Sequence, residues 1–204
     1  MSETLPPMRL AVLASGGGSN LQALVEHLES LGQQSAATVV LVASDRPGAG
    51  ALAKALSRNI PAAILENSKD GPGIVKLLES HHVEMIVLAG YLRLVPAEVL
   101  RRWSGRIVNI HPALLPKFGG KGMYGRRVHK AVIAAGEQES GATVHHVTDE
   151  YDRGLIIAQE RVPVVPGDTP DSLAARVLEA EHRLYPQTVH QLARSLQLST
   201  PTDR

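Results

Sequence analysis

The 204-residue chain contains no cysteine and few aromatic residues: one phenylalanine, one tryptophan and four tyrosines. The absence of cysteine excludes disulfides, thiolate catalysis and cysteine-based metal sites. With so few aromatic side chains, we expect a core of Val, Ile, Leu and Ala. That composition is typical of a parallel sheet covered by helices on both faces.

The chain also lacks an excess of charge of either sign and has no long apolar run. The 21 basic and 20 acidic residues leave a net charge of +1, which indicates neither a nucleic-acid nor a membrane partner. No apolar run approaches the roughly 18 residues that a membrane-spanning helix needs. The first residues, MSETLPP, lack the basic and apolar regions of a signal peptide. We therefore expect a cytoplasmic protein.

Apolar runs alternate with helical patterns along the first half of the chain. This alternation predicts an α/β fold with a doubly wound, mainly parallel sheet and helices on both faces, a Rossmann-like arrangement. The predicted strands lie at 8–15, 38–44, 61–65, 84–90, 106–110, 141–147 and 155–165.

The chain shows no linker and no internal repeat. We therefore expect a single domain over residues 1–204, with an ordered core at about 8–192 and short flexible ends that include a frayed 197–204. The pattern from 168 to 196 predicts either one long helix or a helix pair disturbed at Pro186.

Three segments that break the apolar pattern directly follow predicted strands: 16–20, 90–94 and 109–111. In open α/β sheets, ligands bind beyond the carboxyl ends of the strands. We expect these segments to converge on one rim of the sheet.

The first of these segments belongs to the run SGGGSN, which leads into a helix with Ser19 or Asn20 as its predicted cap. Clustered N–H groups at a helix N-terminus suit a phosphate, and a single phosphate monoester fits this short loop best. The dinucleotide fingerprint is incomplete because Leu21 takes the place of its third glycine. Asp45, after the second strand, keeps a nicotinamide-dinucleotide-dependent oxidoreductase open as an alternative, and a purely structural turn is another.

Asn109 lies near the end of the predicted strand RIVNI, and His111 directly follows that strand. Because the two residues are two positions apart, their side chains lie on the same side of an extended chain. An amide donates hydrogen bonds without charge, and an imidazole can donate or move a proton near neutral pH. Pro112 restricts His111 to extended geometry. Rigid donors of this kind are typical of a site that stabilises an oxyanion. The alternative is that both side chains satisfy backbone groups of the loop.

Three acids in VTDEYDRG, namely Asp149, Glu150 and Asp152, are candidates for a partner that raises the pKa of His111. A plain acidic turn is the alternative. His145 is a candidate for a supporting role in the site. We expect the other histidines to be exposed or hydrogen-bonded, and we predict no metal site, because no spacing resembles a zinc motif.

Five segments, taken in order, resemble the phosphoribosylglycinamide formyltransferase family of purine biosynthesis: VLASGGGSNLQAL, VLAGYLRL, NIHPALLP, TVHHVTDEYDRG and EAEHRLYP. The resemblance spans about residues 8–192. The NIHP-x-LLP motif marks all enzymes that take a formyl group from 10-formyltetrahydrofolate. The glycine loop and EH-x-x-YP narrow the resemblance to the glycinamide ribonucleotide enzyme.

The resemblance implies formyl transfer from 10-formyltetrahydrofolate, a co-substrate, to the amine of glycinamide ribonucleotide, with no metal. Asn109 and protonated His111 would stabilise the tetrahedral intermediate. Among the three acids, the family pattern selects Asp152 to raise the pKa of His111 and assist proton transfer. The proposed partners are these small molecules, without nucleic acid or membrane, and the protein is expected to be a monomer or homodimer.

The resemblance also implies the residues that bind each substrate. The ribonucleotide would be bound by Gly18, Ser19, Asn20 and Glu181. Segment 146–152 would fold over the pterin. The implied folate-binding residues are Leu92, Arg93, Leu94, Val95, Asn109, Thr148, Asp149, Glu150, Tyr151 and Asp152.

Three segments depart from the family pattern. Loop 119–127 is longer than expected, and its Lys121, Tyr124 and Arg126 either contact substrate or are solvated. Segment 64–73 is shorter than the one that brings an arginine to the folate tail, which leaves Lys69 as a candidate substitute. His146 stands where an aromatic residue is expected.

Other formyl-group enzymes are alternatives. A formyltetrahydrofolate hydrolase would share the Asn–His–Asp set, use water as acceptor and normally carry an N-terminal regulatory domain. A methionyl-tRNA formyltransferase would add a C-terminal RNA-binding domain. We expect neither in this chain, and the joint presence of Asn109, His111 and Asp152 disfavours a non-catalytic nucleotide-binding protein.

Overall fold

The computed structural model describes residues 5–199, which contain one seven-stranded sheet. Its strand order is β3-β2-β1-β4-β5-β6-β7, parallel from β3 to β5 and antiparallel for β6 and β7. The predicted α/β, mainly parallel sheet is confirmed. The strands are β1 Met8–Leu13, β2 Ala37–Ser44, β3 Ala62–Ile64, β4 Met85–Leu88, β5 Ile107–His111, β6 Glu139–His146 and β7 Ile156–Pro163.

Helices cover both faces of this sheet because successive strand residues point to opposite sides. Leu10 and Val12 of β1 belong to one apolar cluster, whereas Ala11 and Leu13 belong to another. No helix within residues 5–199 combines the length and apolar character needed to cross a membrane. The α-helices are α1 Ser19–Leu31, α2 Gly50–Ser57, α3 Gly71–Ser80, α4 Ala97–Arg102, α5 Arg126–Ala134 and α6 Pro170–Ser199.

The C-terminal pattern forms one helix, α6, with Pro186 inside it, rather than a helix pair. The fully buried Tyr185 on α6 donates its hydroxyl proton towards the carbonyl oxygens of Leu88 (2.8 Å) and Val108 (3.2 Å). This contact ties α6 to the ends of β4 and β5. Helix α6 continues to Ser199, so the expectation of frayed residues is wrong for 197–199. The predicted flexible ends 1–4 and 200–204 lie outside the described residues.

The strand order reverses at β1, which has β2 on one side and β4 on the other. Such a switch point opens a crevice beyond the carboxyl ends of the two flanking strands. Here the N–H of Ser15 donates to the carbonyl oxygen of Gly90 at 3.0 Å, so the segments that follow β1 and β4 lie side by side. The crevice therefore lies where the sequence predicted a shared rim.

Candidate active site

A cavity of about 630 Å³ opens beyond the carboxyl ends of β1, β4 and β5. It brings together segments that are up to 165 residues apart in sequence, from Gly16 to Glu181. Asp149, which is exposed on the segment after β6, does not line the cavity, although its neighbour Glu150 does. The sequence-predicted residues that line it are Gly18, Ser19, Asn20, Leu92, Arg93, Leu94, Val95, Asn109, His111, Thr148, Glu150, Tyr151, Asp152 and Glu181.

The glycine loop, residues 16–18, ends at the start of α1. The helix cap is Gly18, with φ of 74°, and not Ser19 or Asn20 as predicted. The cap must be glycine here because a Cβ atom would lie 2.7 Å from Cα of Ala51, at the start of α2. No side chain caps this end of α1. The first N–H groups of the helix, which have no intrahelical acceptor, are therefore free to bind an anion.

The half-buried Asn20 and the buried Glu181 form a pair beside the glycine loop. The Asn20 Nδ2 donates to Glu181 Oε2 at 2.6 Å, and the Asn20 Oδ1 is buried without a partner in residues 5–199. Burial raises the pKa of Glu181 to about 7, although the hydrogen bond from Asn20 acts in the opposite direction. The pair therefore contains one buried carbonyl oxygen without a donor and, beside the cavity, a carboxyl group that titrates near neutral pH.

Antiparallel pairing of β5 with β6 places His145 opposite Asn109. The Nδ1 of His145 lies 2.8 Å from the carbonyl oxygen of His146, which can only accept, so this nitrogen carries a proton. In the neutral ring, Nε2 is then an acceptor, and Asn109 Nδ2 lies 3.1 Å from it. This contact fixes the amide orientation and leaves the second N–H of Asn109 for the cavity. His145 thus has the supporting place that the sequence suggested.

His111 is almost fully buried, with 3% of its surface exposed. Its Nε2 donates to the carbonyl oxygen of Phe118 at 2.8 Å, and its Nδ1 lies 3.5 Å from Asp152 Oδ2. Burial lowers the pKa of His111, and this effect outweighs the opposite effects of Asp152 and the Phe118 carbonyl. The expectation of a raised pKa is therefore wrong in net direction, although Asp152 does act in the predicted sense.

Asp152 lies between the two histidines, with Oδ1 3.5 Å from His145 Nε2. Its Oδ2 also accepts the N–H of Gly120 at 2.8 Å, which ties this turn to loop 119–127. Burial raises the pKa of Asp152, but the contacts with His145, His111 and Gly120 outweigh it and the pKa is lowered. The carboxyl group is therefore ionised at neutral pH, beside a His111 that is mainly neutral.

Two cavity residues carry buried polar atoms that the sequence did not single out. Among the described residues, the buried Nδ1 of His129 and the buried hydroxyl of Tyr91 have no hydrogen-bond partner, and both residues line the cavity. Nδ1 of His146 and Nε2 of His182 are likewise buried without a partner, so the expectation that the remaining histidines are exposed or hydrogen-bonded is wrong at three positions. No sequence signal marks the burial of these atoms, because it follows from packing.

Loop 119–127 forms part of the cavity mouth. Lys121, Tyr124 and Arg126 all line the cavity, and Arg126 forms an exposed ion pair with Asp171 at 2.7 Å. Lys69 is not among the lining residues. No group of three or more His, Cys, Asp or Glu side chains suited to a metal ion occurs in residues 5–199.

Comparison with known proteins assigns the family. Residues 8–189 match the sequence pattern of the formyl transferase family. The chloroplastic phosphoribosylglycinamide formyltransferase of Arabidopsis thaliana is 44% identical over 188 residues, which cover 89% of this chain and 64% of that protein. The chain thus spans less than two thirds of that relative's length.

Shorter relatives are matched over more of their length. The phosphoribosylglycinamide formyltransferase of Haemophilus influenzae is 36% identical over 89% of this chain and 85% of that protein. The crystal structure of phosphoribosylglycinamide formyltransferase from Brucella melitensis has 40% identity and a TM-score of 0.83, covering 92% of this chain and 96% of that one. The chain therefore belongs to the formyl transferase family, and the resemblance to phosphoribosylglycinamide formyltransferases inferred from its motifs is confirmed.

Proposed function

We propose that the chain transfers the formyl group of 10-formyltetrahydrofolate to the amine of glycinamide ribonucleotide, giving formylglycinamide ribonucleotide and tetrahydrofolate in purine biosynthesis. The observation that carries the proposal is a single cavity in which the Asn109 amide, the His111–Asp152 pair and the uncapped end of α1 all meet. The names of the relatives support the same reaction.

The ribonucleotide is proposed to bind at Gly18, Ser19 and Asn20 through its phosphate, which suits the free N–H groups of the first turn of α1. Glu181, which lines the cavity, then accepts hydrogen bonds from hydroxyl or amine groups of the same substrate. The folate is proposed to bind along the remaining predicted residues: Leu92, Arg93, Leu94, Val95, Asn109, Thr148, Glu150, Tyr151 and Asp152.

In the proposed reaction, the substrate amine attacks the formyl carbon, so that the protein supplies no nucleophile. Asn109 donates its free N–H to the developing oxyanion. Because burial keeps His111 mainly neutral, we assign it the role of receiving the proton that the amine loses, rather than starting protonated. Asp152 stabilises the resulting imidazolium. The proton then passes to the folate nitrogen as the carbon–nitrogen bond to the folate breaks.

The proposal is tested by measuring tetrahydrofolate release from 10-formyltetrahydrofolate with and without glycinamide ribonucleotide. We expect release only with the ribonucleotide, and a decrease in kcat of about 10²–10³ for Asn109→Ala, the range typical of a lost oxyanion donor. Asn67→Ala, an exposed asparagine outside the cavity, serves as the matched control.

Equal release without the ribonucleotide would establish water as the acceptor and a hydrolase in place of the transferase. No release under either condition, together with binding of a nicotinamide dinucleotide, would favour the oxidoreductase alternative.

The proposal includes a cytoplasmic location, small-molecule partners only and no metal requirement. Activity that is unchanged after treatment with a chelator would agree with the proposed absence of a metal requirement. Sedimentation at several protein concentrations distinguishes a monomer from a homodimer, the two states that the sequence left open.

A further inference from the structure

Asp45 is a buried carboxylate that the proposed reaction does not use. It directly follows β2, and only 3% of its side chain is exposed. Its Oδ1 accepts the hydroxyl proton of Ser15 at 2.6 Å, and its Oδ2 accepts the Nε proton of Arg93 at 2.8 Å. Both oxygens thus accept hydrogen bonds from protein donors, and the side chain is almost fully enclosed, which leaves little access for a ribose hydroxyl. This arrangement argues against the ribose-binding role that the oxidoreductase alternative gave to Asp45.

The hydrogen bonds continue from Ser15 into the segment after β4, residues 90–95. The Ser15 hydroxyl oxygen accepts the backbone N–H of Leu92 at 3.0 Å, while its own backbone N–H donates to Gly90. Ser15 is itself 2% exposed, so this network is shielded from water. One carboxylate therefore links the ends of β1 and β2 to the cavity wall that contains Leu92 and Arg93.

Arg93 joins this network through one nitrogen only. Its side chain is 57% exposed and lines the cavity, and Nε is the atom that contacts Asp45. No hydrogen bond from its two terminal amino groups occurs within residues 5–199. These groups form the flat pair of donors that binds carboxylates in a bidentate manner. A guanidinium held at Nε is restricted in rotation while its carboxylate-binding edge stays open.

The charge of Asp45 is maintained by the same contacts. Burial raises the pKa of Asp45, but the hydrogen bonds from Ser15 and Arg93 outweigh it and the pKa is lowered. An ionised carboxylate can hold both donors at once, whereas a neutral side chain at this position would lose the ionic contact with Arg93.

We propose that Asp45 is a positioning residue for the formyl donor. Through Ser15 it holds the backbone of Leu92, and through Nε it orients Arg93 so that the terminal amino groups meet a carboxylate on the glutamate tail of the folate. This inference rests on the proposed function. It assigns a role to a buried acid that lies outside the Asn109–His111–Asp152 group.

The test compares Asp45→Asn with the wild-type protein in steady-state kinetics. Asparagine preserves the shape of the side chain and removes its charge. We expect KM for 10-formyltetrahydrofolate to rise about tenfold, as for the loss of one charged hydrogen bond, while KM for the ribonucleotide stays within about twofold. With 10-formyltetrahydropteroate, which lacks the glutamate tail, most of this difference should disappear. Glu79→Gln, which breaks an exposed ion pair with Arg102 remote from the cavity, is the matched control.

Ser15→Ala separates the two branches of the network and keeps the proposal testable if Asp45→Asn does not fold. It removes the hydroxyl between Asp45 and Leu92, so KM should rise for both donors, with or without the tail. Arg93→Met should reproduce the tail-dependent loss, and combining it with Asp45→Asn should add little, because both changes remove one contact.

Other outcomes overturn the inference. If Asp45→Asn only lowers the melting temperature, or raises both KM values equally, Asp45 has a structural role alone. If the wild-type protein is active and Asp45→Asn behaves like Glu79→Gln, the inference fails while the proposed function stands. If the wild-type protein does not release tetrahydrofolate at all, both fail.

Discussion

At the scale of single residues, Asp152 is the centre of the site, because its two carboxylate oxygens each lie 3.5 Å from a different imidazole ring. One ring, His111, is buried and mainly neutral, and Asp152 is ionised. A proton that arrives on Nδ1 of His111 would therefore meet a carboxylate already in place. This arrangement favours uptake of a proton during the reaction and its release afterwards.

His111→Ala and Asp152→Asn are each expected to lower kcat by about 10²–10⁴, the range typical of a lost acid–base group. The fold should be retained, since alanine or asparagine can occupy either position without adding volume. Single-turnover kinetics and circular dichroism check the two parts of this prediction. His190→Ala, a histidine outside the cavity, serves as the control. If either variant keeps the wild-type turnover, the substituted residue takes no part in proton transfer.

The identity of the catalytic candidates could be read from the sequence, whereas their protonation could not. Asn109 and His111 are two residues apart on a strand, and that spacing alone places them on one side. The pKa of His111 depends instead on its burial and on its contacts with Phe118 and Asp152, which come from other segments, and no local pattern predicts these. A neighbouring carboxylate was predicted correctly, and yet burial decided the net direction.

At the scale of elements, two contacts between distant segments shape the cavity. Pairing of β5 with β6 sets His145 beside Asn109, and the close approach of α2 to the glycine loop sets the direction of α1. The turn before β7 requires a similar approach: a Cβ atom on Gly154 would collide with the carbonyl oxygen of His146. Small residues at such points allow backbones to meet and so position the polar groups.

Gly18→Ala is expected to destabilise the protein by on the order of 1–3 kcal/mol, because φ is positive and the new Cβ would lie 2.7 Å from Cα of Ala51. The start of α1 should also shift, so KM for the ribonucleotide should rise more than KM for the folate. Urea denaturation and steady-state kinetics measure these effects.

Gly17→Ala is the matched control for stability, since nothing lies within 4 Å of its added Cβ. Equal stability of the two variants would show that the approach of α2 does not restrict position 18.

At the scale of the whole molecule, buried titratable groups make stability depend on pH in two opposing ways. The pKa values of His111, His129, His146 and His182 are lowered, mainly by burial. Their contribution to stability is present at pH values above 6.5, the pKa of histidine in the unfolded chain, and is lost as pH falls through their lowered pKa values in the folded protein. Glu181 has the opposite sign: its contribution is present below its ordinary value of 4.5 and is lost as pH rises through about 7.

Glu181→Gln imitates the protonated carboxyl group and preserves an acceptor for Asn20. We expect it to raise the free energy of unfolding by on the order of 2 kcal/mol at pH 8, and by much less at pH 5. Chemical denaturation at both pH values measures the difference. Glu179→Gln, an exposed glutamate on the same helix, should change stability equally little at the two values. If Glu181→Gln shifts stability equally at pH 5 and pH 8, the pKa of Glu181 is not raised.

The sequence by itself determined the α/β class, the rim on which polar segments converge and the segments that carry the candidate site residues. These features depend on short-range periodicity: apolar runs define strands, and strand ends in a parallel sheet meet at one edge. The motifs were sufficient to indicate the family because they keep polar groups at fixed spacings within single segments.

Tertiary structure alone decided which groups are enclosed and which contacts they make. The cap at Gly18, the pairing of Asn20 with Glu181, the lowered pKa of His111 and the Ser15–Asp45–Arg93 network all join residues from separate segments. Burial and hydrogen bonding across such distances are properties of the packed molecule, because desolvation depends on every element that surrounds a group.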